Sequence, residues 1–426
     1  MTSTSSKRDP TTHMTEVNFG TRPEAKILDV SKLILSDTYP EAGSTGKSPR
    51  LTFGVELEMV ICTLGDTCLN PIPGDRRKVY GVASALNSPL LEYDPVSAQF
   101  GEGTPTKMPR EEISCRDKGR LCVYEDIVHR LSCAGFPAAH MEAPECRERG
   151  YTPWMADKWI VGTDSSINCP DETIYDYHKI ELKSPVYYFS KGALEAVETV
   201  WEIIESTYKV VINDSMGLHV HVGNGVDAFD VPTLRNLWAI LWSTEKWIET
   251  IHPPHRIDNA ACLSFHYCSK LWFEIGSLSS DPEDEVLDWI LKRAPPMVEA
   301  FLDTMKNADC AYNFTKLQKK YYEGSIMRTI EFRQHEATTD KERVTQWIRT
   351  CVGLVQASAA TDPAKLDPYL RRLIQRKREE VHVGDILENL GLESAAYYRA
   401  QIPREKVPDE SAFKKLLKKT KSFPRG

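Results

Sequence analysis

The sequence has no apolar run long enough to cross a bilayer. Its most apolar helical stretch, residues 237–242 (LWAILW), is far short of the ~20 residues a membrane helix needs. The first residues, MTSTSSKRDPTTH, lack the apolar core of a secretory signal. The eleven cysteines form no CxxC pair, and an odd, scattered set reads as free thiols in a reducing compartment. Those absences together predict a cytoplasmic protein without a membrane partner. A net charge of −8 excludes a globally basic surface, so nucleic acid is not an expected partner either. The basic stretch at 412–426, with Lys414, Lys415, Lys418, Lys419, Lys421 and Arg425, reads as a solvated helix. HExxH is absent. AGSTGKS at 42–48 only hints at a phosphate loop: Glu41 stands where its first glycine belongs, and Pro49 follows where a helix should open. Cys262, His266 and Cys268 match no common zinc spacing, and His252 and His255 flank a proline pair that reads as loop.

What is present is a chain with 41% apolar residues, enough for a sizeable core. Residues 1–48 read as a disordered polar leader, 49–360 as the catalytic domain, and 361–426 as a helical, basic appendage. Residues 66–120 read as inserted loops. Three- and four-residue apolar steps predict a helix over 192–212. Asp230-Val231-Pro232, Asp281-Pro282 and Asp340 each mark a helix start. Strands lie between these helices without strict alternation. The fold class that follows is α+β with a mainly antiparallel sheet covered by helices.

Four strand-like segments carry the chemistry. Residues 51–63 (LTFGVELEMVICT) put Glu56 and Glu58 on one face and Phe53, Val55, Leu57 and Met59 on the other. Residues 179–185 (KIELKSP) pair Glu181 with Lys183, and read alone as an edge strand; Asp164 lies upstream in GTDSS. Residues 217–225 (GLHVHVGNG) place His219 and His221 together, with a turn at Asn224-Gly225. In residues 327–338 (MRTIEFRQHEAT), alternation sets Thr329, Glu331, Arg333 and His335 against Arg328, Ile330 and Phe332. Each segment alone also reads as an amphipathic surface strand. Side by side, Glu56, Glu58, Glu181, His219 and Glu331 would converge as a carboxylate-rich set suited to Mg²⁺ or Mn²⁺. An arginine beside them could clamp phosphate.

In order and spacing, FGVELE, GTDSS…IELKSP, GLHVHVG, AYN and TIEFRQHEATTD…QWIRTCVGLV resemble the amidoligase family, related to glutamine synthetase and glutamate–cysteine ligase. The resemblance spans roughly residues 51–360. It implies a glutamine-synthetase-like curved sheet, ATP with Mg²⁺ or Mn²⁺, and amide formation through an acyl phosphate. It further implies Glu56, Glu58, Glu181, His219 and Glu331 as metal ligands. Asp164 would support Glu181, and His221 would lie near the nucleotide phosphates with Arg333. Glutamine synthetase has an arginine at the position of Thr329; here Arg328 is adjacent and is the expected substitute in cofactor binding. Asn313 belongs to the AYN motif without an assigned role. The carboxylate and amine substrates stay open, from amino acids to peptides and small molecules, as does homo-oligomerisation. The rival readings are a zinc hydrolase built on His219 and His221, and a non-catalytic binding protein of the same fold.

Overall fold

The computed structural model describes residues 33–34, 51–64, most of 69–77, 115–143, 156–295 except 173 and 258, 309–318, and 328–402. Most of the leader, the 42–48 segment, most of the 66–120 insertion and the basic 412–426 stretch lie outside the described residues. The elements run β1 (Thr52–Thr63), α1 (Cys115–Cys133), β2 (Ala138–His140), β3 (Trp159–Gly162), β4 (Asp176–Lys183), β5 (Tyr187–Tyr188), α2 (Lys191–Thr207), β6 (Lys209–Val211) and β7 (Gly217–Gly223). Then come α3 (Val231–Ile248), α4 (Pro254–Ile257), α5 (Phe265–Cys268), α6 (Lys270–Glu274), α7 (Pro282–Asp288), β8 (Tyr312–Asn313) and β9 (Thr329–Glu336). The chain continues through α8 (Lys341–Ala360), α9 (Pro363–Ile374), α10 (Val383–Asn389) and α11 (Ala395–Gln401).

The result is a mixed α/β fold with one curved, open sheet ordered β2-β3-β4-β1-β7-β9-β8, antiparallel except for β2–β3. β5 and β6 pair with the two ends of β1. β4 is therefore interior, not the edge strand its sequence suggests, because β3 pairs with its free side. Ile34, from the segment read as leader, bridges to Tyr187 and is buried.

The helices form where local chemistry starts them. Ser190 caps α2 by accepting from the Ala193 amide, Asp230 caps α3 through Thr233, and Asp340 caps α8 through Glu342 and Arg343. Their apolar stripes meet the sheet's apolar face. Phe53, Val55, Leu57, Leu218, Val220, Ile330 and Phe332 share one core with Leu194, Val197 and Trp201 of α2, Leu237 and Leu241 of α3, and Trp347 and Ile348 of α8. Leu366, Leu370, Ile386 and Tyr398 of the C-terminal helices join that same core. Burying each large side chain contributes about 1.5–3 kcal/mol, so this single core dominates the fold's stability. Its geometric consequence is directional: the helices take one face of the sheet and leave the polar face for the site. No helix among the described residues is long and apolar enough to cross a membrane.

Three expectations change. The helix expected over 192–212 ends at Thr207. The β-branched pair Val210-Val211, with Lys209, instead supplies β6, and buried Tyr208 donates from its hydroxyl to Asp126 at 2.6 Å. His255 lies in the one-turn helix α4, while His252 is buried against Trp347. Cys268 and Cys310 are joined as a disulfide, against the expectation of free thiols throughout. That pairing, with His266 stacked on Trp242 and Cys262 donating to the Arg256 carbonyl, removes the loose zinc set at 262–268.

Candidate active site

Register decides which polar side chains meet. Glu58 stands opposite Glu181 across β1–β4, while Glu56 faces Lys183 on one side and His219 on the other. His221 faces Glu331 across β7–β9, and Asn313 of β8 faces Glu331 from beyond. Strand alternation then projects these side chains to the face the helices leave open.

Two groups of ligand atoms result. In the first, Glu56, His219 and Glu331 each bring one donor atom within 4.8 Å of the others. His219 Nδ1 lies 3.1 Å from Glu56 Oε2 and 3.7 Å from Glu331 Oε1. In the second, Glu58, Asp164 and Glu181 converge within the same limit. Asp164 comes from the loop after β3, held by the Ser166 amide at 2.6 Å. The two groups touch, since His219 Nε2 is 3.9 Å from Glu58 Oε1. Glu58 is itself aimed by the Gly217 amide, which donates to its Oε2 at 2.7 Å. Glycine leaves room there: a Cβ at 217 would lie 2.9 Å from both His219 Nε2 and Arg256 Nη2 and would force one of those side chains to move.

Cations are interleaved with these acids. Lys183 Nζ bridges Glu56 and Glu181, at 3.1 Å from each. Arg333 Nη1 donates to Glu331 Oε1 at 2.5 Å, and Lys316 Nζ stands 3.6 Å from Glu331 Oε2. Asn313 donates to Glu331 Oε2 at 2.9 Å, which gives the AYN asparagine a job: it turns the Glu331 carboxylate toward His219. His221 Nδ1 pairs with Thr329 Oγ1 at 3.0 Å. Its buried Nε2 has no hydrogen-bond partner and points at Glu56 Oε1, 3.4 Å away.

The electrostatics divide the acids. Burial opposes ionisation of Glu56, yet the Lys183 charge, with His221 and His219 beside it, holds its carboxyl well below the usual range. Burial likewise opposes Glu331, but His221, Lys316 and Arg333 pull it down to about 2. Glu58 is raised by burial, and Glu181 is pushed up to about 7 by burial and the Glu56 charge. Asp164 is lowered despite its own burial, by the Ser166 hydrogen bonds.

Glu56, Glu58, Asp164, Glu181, His219, His221, Glu331 and Arg333 thus lie together on the open face, Arg328 stands apart from them just ahead of β9, and the strand face expected for His335 changes. Leu218 pairs with His335 but Val220 with Phe332, so β9 carries a bulge in which Arg333 and Gln334 together oppose His219. The extra residue reverses the phase. His335 turns into the core between His252 and Trp347, where burial pushes it down to about 3, rather than joining Glu331 and Arg333. Arg328 stands one residue ahead of β9, in phase with Ile330 and Phe332, while Thr329, opposite Gly223, reaches His221 Nδ1 with its hydroxyl. Lys316 was not legible as a site residue: it follows Asn313 by three positions in a short irregular turn that carries no periodic signal.

A family model described as "Putative amidoligase enzyme" matches residues 49–355, well over half of the chain. The chain belongs to the amidoligase family. Neither curated proteins nor solved structures give a match to it. The amidoligase span contains every residue of both ligand groups, from Glu56 to Glu331, and ends inside α8, whose Trp347 and Ile348 support the sheet from behind. The family assignment makes this amidoligase a ligase at the coarse level.

Proposed function

We propose that this amidoligase is an ATP- and divalent-metal-dependent ligase that joins a carboxylate to an amine. The observation that carries the reading is the pair of adjoining ligand groups, Glu56/His219/Glu331 and Glu58/Asp164/Glu181, on one open sheet face. Five carboxylates to one imidazole make an oxygen-rich donor set, which fits Mg²⁺ or Mn²⁺ better than structural zinc. The unpartnered Nε2 of His221 fits a site that holds a further ligand such as phosphate. The curved, mainly antiparallel sheet supports the glutamine-synthetase-like reading of the fold.

The groups would hold two ions, which when bound supply Lewis-acid charge neutralisation for phosphate oxygens. This chain's residues do the rest. Arg333, Lys316 and His221 line the Glu331 end and would bind and orient the triphosphate. Lys183, already bridging Glu56 and Glu181, has an ammonium that can turn to an anionic oxygen once cations compete for those carboxylates. The substrate carboxylate would take the γ-phosphoryl group of ATP, and the amine would then attack the acyl phosphate, forming the amide and releasing phosphate. No side-chain nucleophile is needed.

The test is calorimetric titration of ATP with Mg²⁺ or Mn²⁺ into the wild-type protein and into Glu58→Ala. Metal-dependent binding in the wild type that disappears in the variant supports the reading. Absence of binding with either metal, together with tight zinc binding that needs no nucleotide, would replace it with the hydrolase reading.

A further inference from the structure

Among the described residues, Arg256 is the one charged side chain among the largest that are fully buried. It extends from α4 to the β9 bulge, where Nη2 donates to the Arg333 carbonyl at 2.6 Å and Nε to the Gln334 carbonyl at 3.3 Å. Those are the two residues that the bulge sets against His219 alone. Among the described residues no carboxylate pairs with its guanidinium. Its Nη2 instead crowds the same space over Gly217 as His219 Nε2. The loop after α4 ties both arginines together: Cys262 Sγ donates to the Arg256 carbonyl at 3.0 Å, and Arg333 Nε donates to the Ala261 carbonyl at 2.9 Å.

We propose that Arg256 is a positioning residue that holds the β9 bulge in place and thereby aims Arg333 at the metal–phosphate end of the site. The proposal rests on the ligase reading for what Arg333 then binds, but not for the aiming itself. A bulge frees backbone carbonyls that regular pairing would satisfy, and a buried carbonyl needs a donor. A planar guanidinium spans two neighbouring carbonyls, whereas an ammonium is a point donor. Arg256→Lys therefore keeps the charge and loses the span. With those two carbonyls released, the backbone at 333–334 is free to shift, which loosens the Arg333 side chain from Glu331 and from the Ala261 carbonyl.

The experiment has two readouts on folded protein, checked by circular dichroism. The first is a cycle of Arg256→Lys, Arg333→Lys and the double variant, titrated with Mg²⁺ and ATP. Each single variant is expected to weaken nucleotide binding about tenfold, and the double variant no further than the weaker single. Mn²⁺ titrated alone into Arg256→Lys should bind within about threefold of the wild type. Losses that multiply in the double variant, or wild-type affinity in Arg256→Lys, overturn the proposal. The second readout needs no nucleotide: mass-spectrometric measurement of phenylglyoxal labelling at Arg333. It should rise several-fold in Arg256→Lys while labelling at Arg349 stays constant. If the wild type binds no ATP the ligase reading fails, and labelling alone decides the aiming; unchanged labelling overturns it. Should Arg256→Lys not fold, Arg256→Gln takes its place. Failure of both to fold assigns Arg256 to the scaffold and overturns the proposal.

Discussion

Two buried acid pairs lie on opposite sides of the same sheet, and they behave differently. On the open face Glu56 and Glu331 are held ionised among Lys183, His219, His221, Lys316 and Arg333. In the helical layer Glu245 and Glu249, one turn apart at the end of α3, are just as buried. There Glu245 caps α5, accepting from the Phe265 and His266 amides at 2.7 and 3.1 Å and from Ser264 Oγ at 2.8 Å. Glu249 has Arg378 at 3.6 Å, and burial with the Glu245 charge pushes it up to about 8. Burial of acids therefore does not by itself mark a site. What marks it is convergence: the open-face acids, with His219, bring donor atoms from four strands and the loop after β3 into two groups, while in the helical layer Glu245 spends its oxygens on amides and a hydroxyl and Glu249 faces Arg378 alone.

The largest expected effect tests that distinction directly. Glu331→Ala or Glu58→Ala should reduce Mn²⁺ affinity by about 100-fold or more, since each removes one of three donors from its group. Glu58→Ala should not lower the melting temperature, because burial already opposes its charge, whereas Glu331→Ala should lower it, because Arg333 and Lys316 lose their acid. Glu249→Ala should leave Mn²⁺ affinity unchanged and destabilise the protein, because truncating a buried side chain leaves a cavity in the helical layer. If all three lost metal equally, the contrast between the two sides would be wrong.

Next in size is a pH effect within the open-face set. Glu181 is pushed up to about 7, so below that pH a proton competes with metal for its carboxylate. Mn²⁺ affinity should rise about tenfold between pH 6 and 8 and level off above, and Glu181→Gln should abolish the slope. A flat profile in the wild type would mean that Glu181 lies outside the metal shell.

Much of this contrast was legible in the sequence, because strand alternation and the paired motifs are local signals. Glu56 with Glu58, and His219 with His221, needed only a two-residue period. The helix starts at Asp230 and Asp340 needed only capping chemistry. What was not legible depends on a second segment. The β9 bulge exists only relative to β7, and no property of residues 329–336 alone reveals that His335 changes face. Lys316, Arg256 and the Cys268–Cys310 pair reach their partners across loops whose course no periodicity predicts. The end of α2 was missed because Tyr208 and Val211 continue its apolar stripe while belonging to β6 and its approach.

A smaller effect reads out the helical-layer pair. The folded-state value of Glu249, about 8, lies above the ~4.3 of an unfolded glutamate. Between those values the folded protein holds the extra proton, so its contribution to stability is full below the lower value and is lost as pH rises through 8. Glu249→Gln keeps the neutral shape and removes the titration. Its melting temperature should exceed the wild type's by about 2 °C or more at pH 8.5, with the gap closing toward pH 5. A gap that widens on acidification would mean that Glu249 is ionised by Arg378, and the two sides of the sheet would then be electrostatically alike.

The smallest expected effect locates the edge of the open-face set. Arg328 carries the expectation of cofactor binding, but it stands in phase with Ile330 and Phe332, and its neighbour Thr329 holds His221 Nδ1 at 3.0 Å. In phase with the apolar face, the Arg328 charge would act on the triphosphate through solvent, screened within about 10 Å at ordinary salt. Arg328→Ala should therefore shift the ATP dissociation constant by no more than about twofold, and that shift should vanish as salt is raised. Thr329→Ala should cost more, because the His221 ring loses the partner that fixes its orientation. A loss in Arg328→Ala as large as in Arg333→Ala, and insensitive to salt, would show that the chain ahead of β9 swings into the site when nucleotide binds, extending the converging set by one strand end.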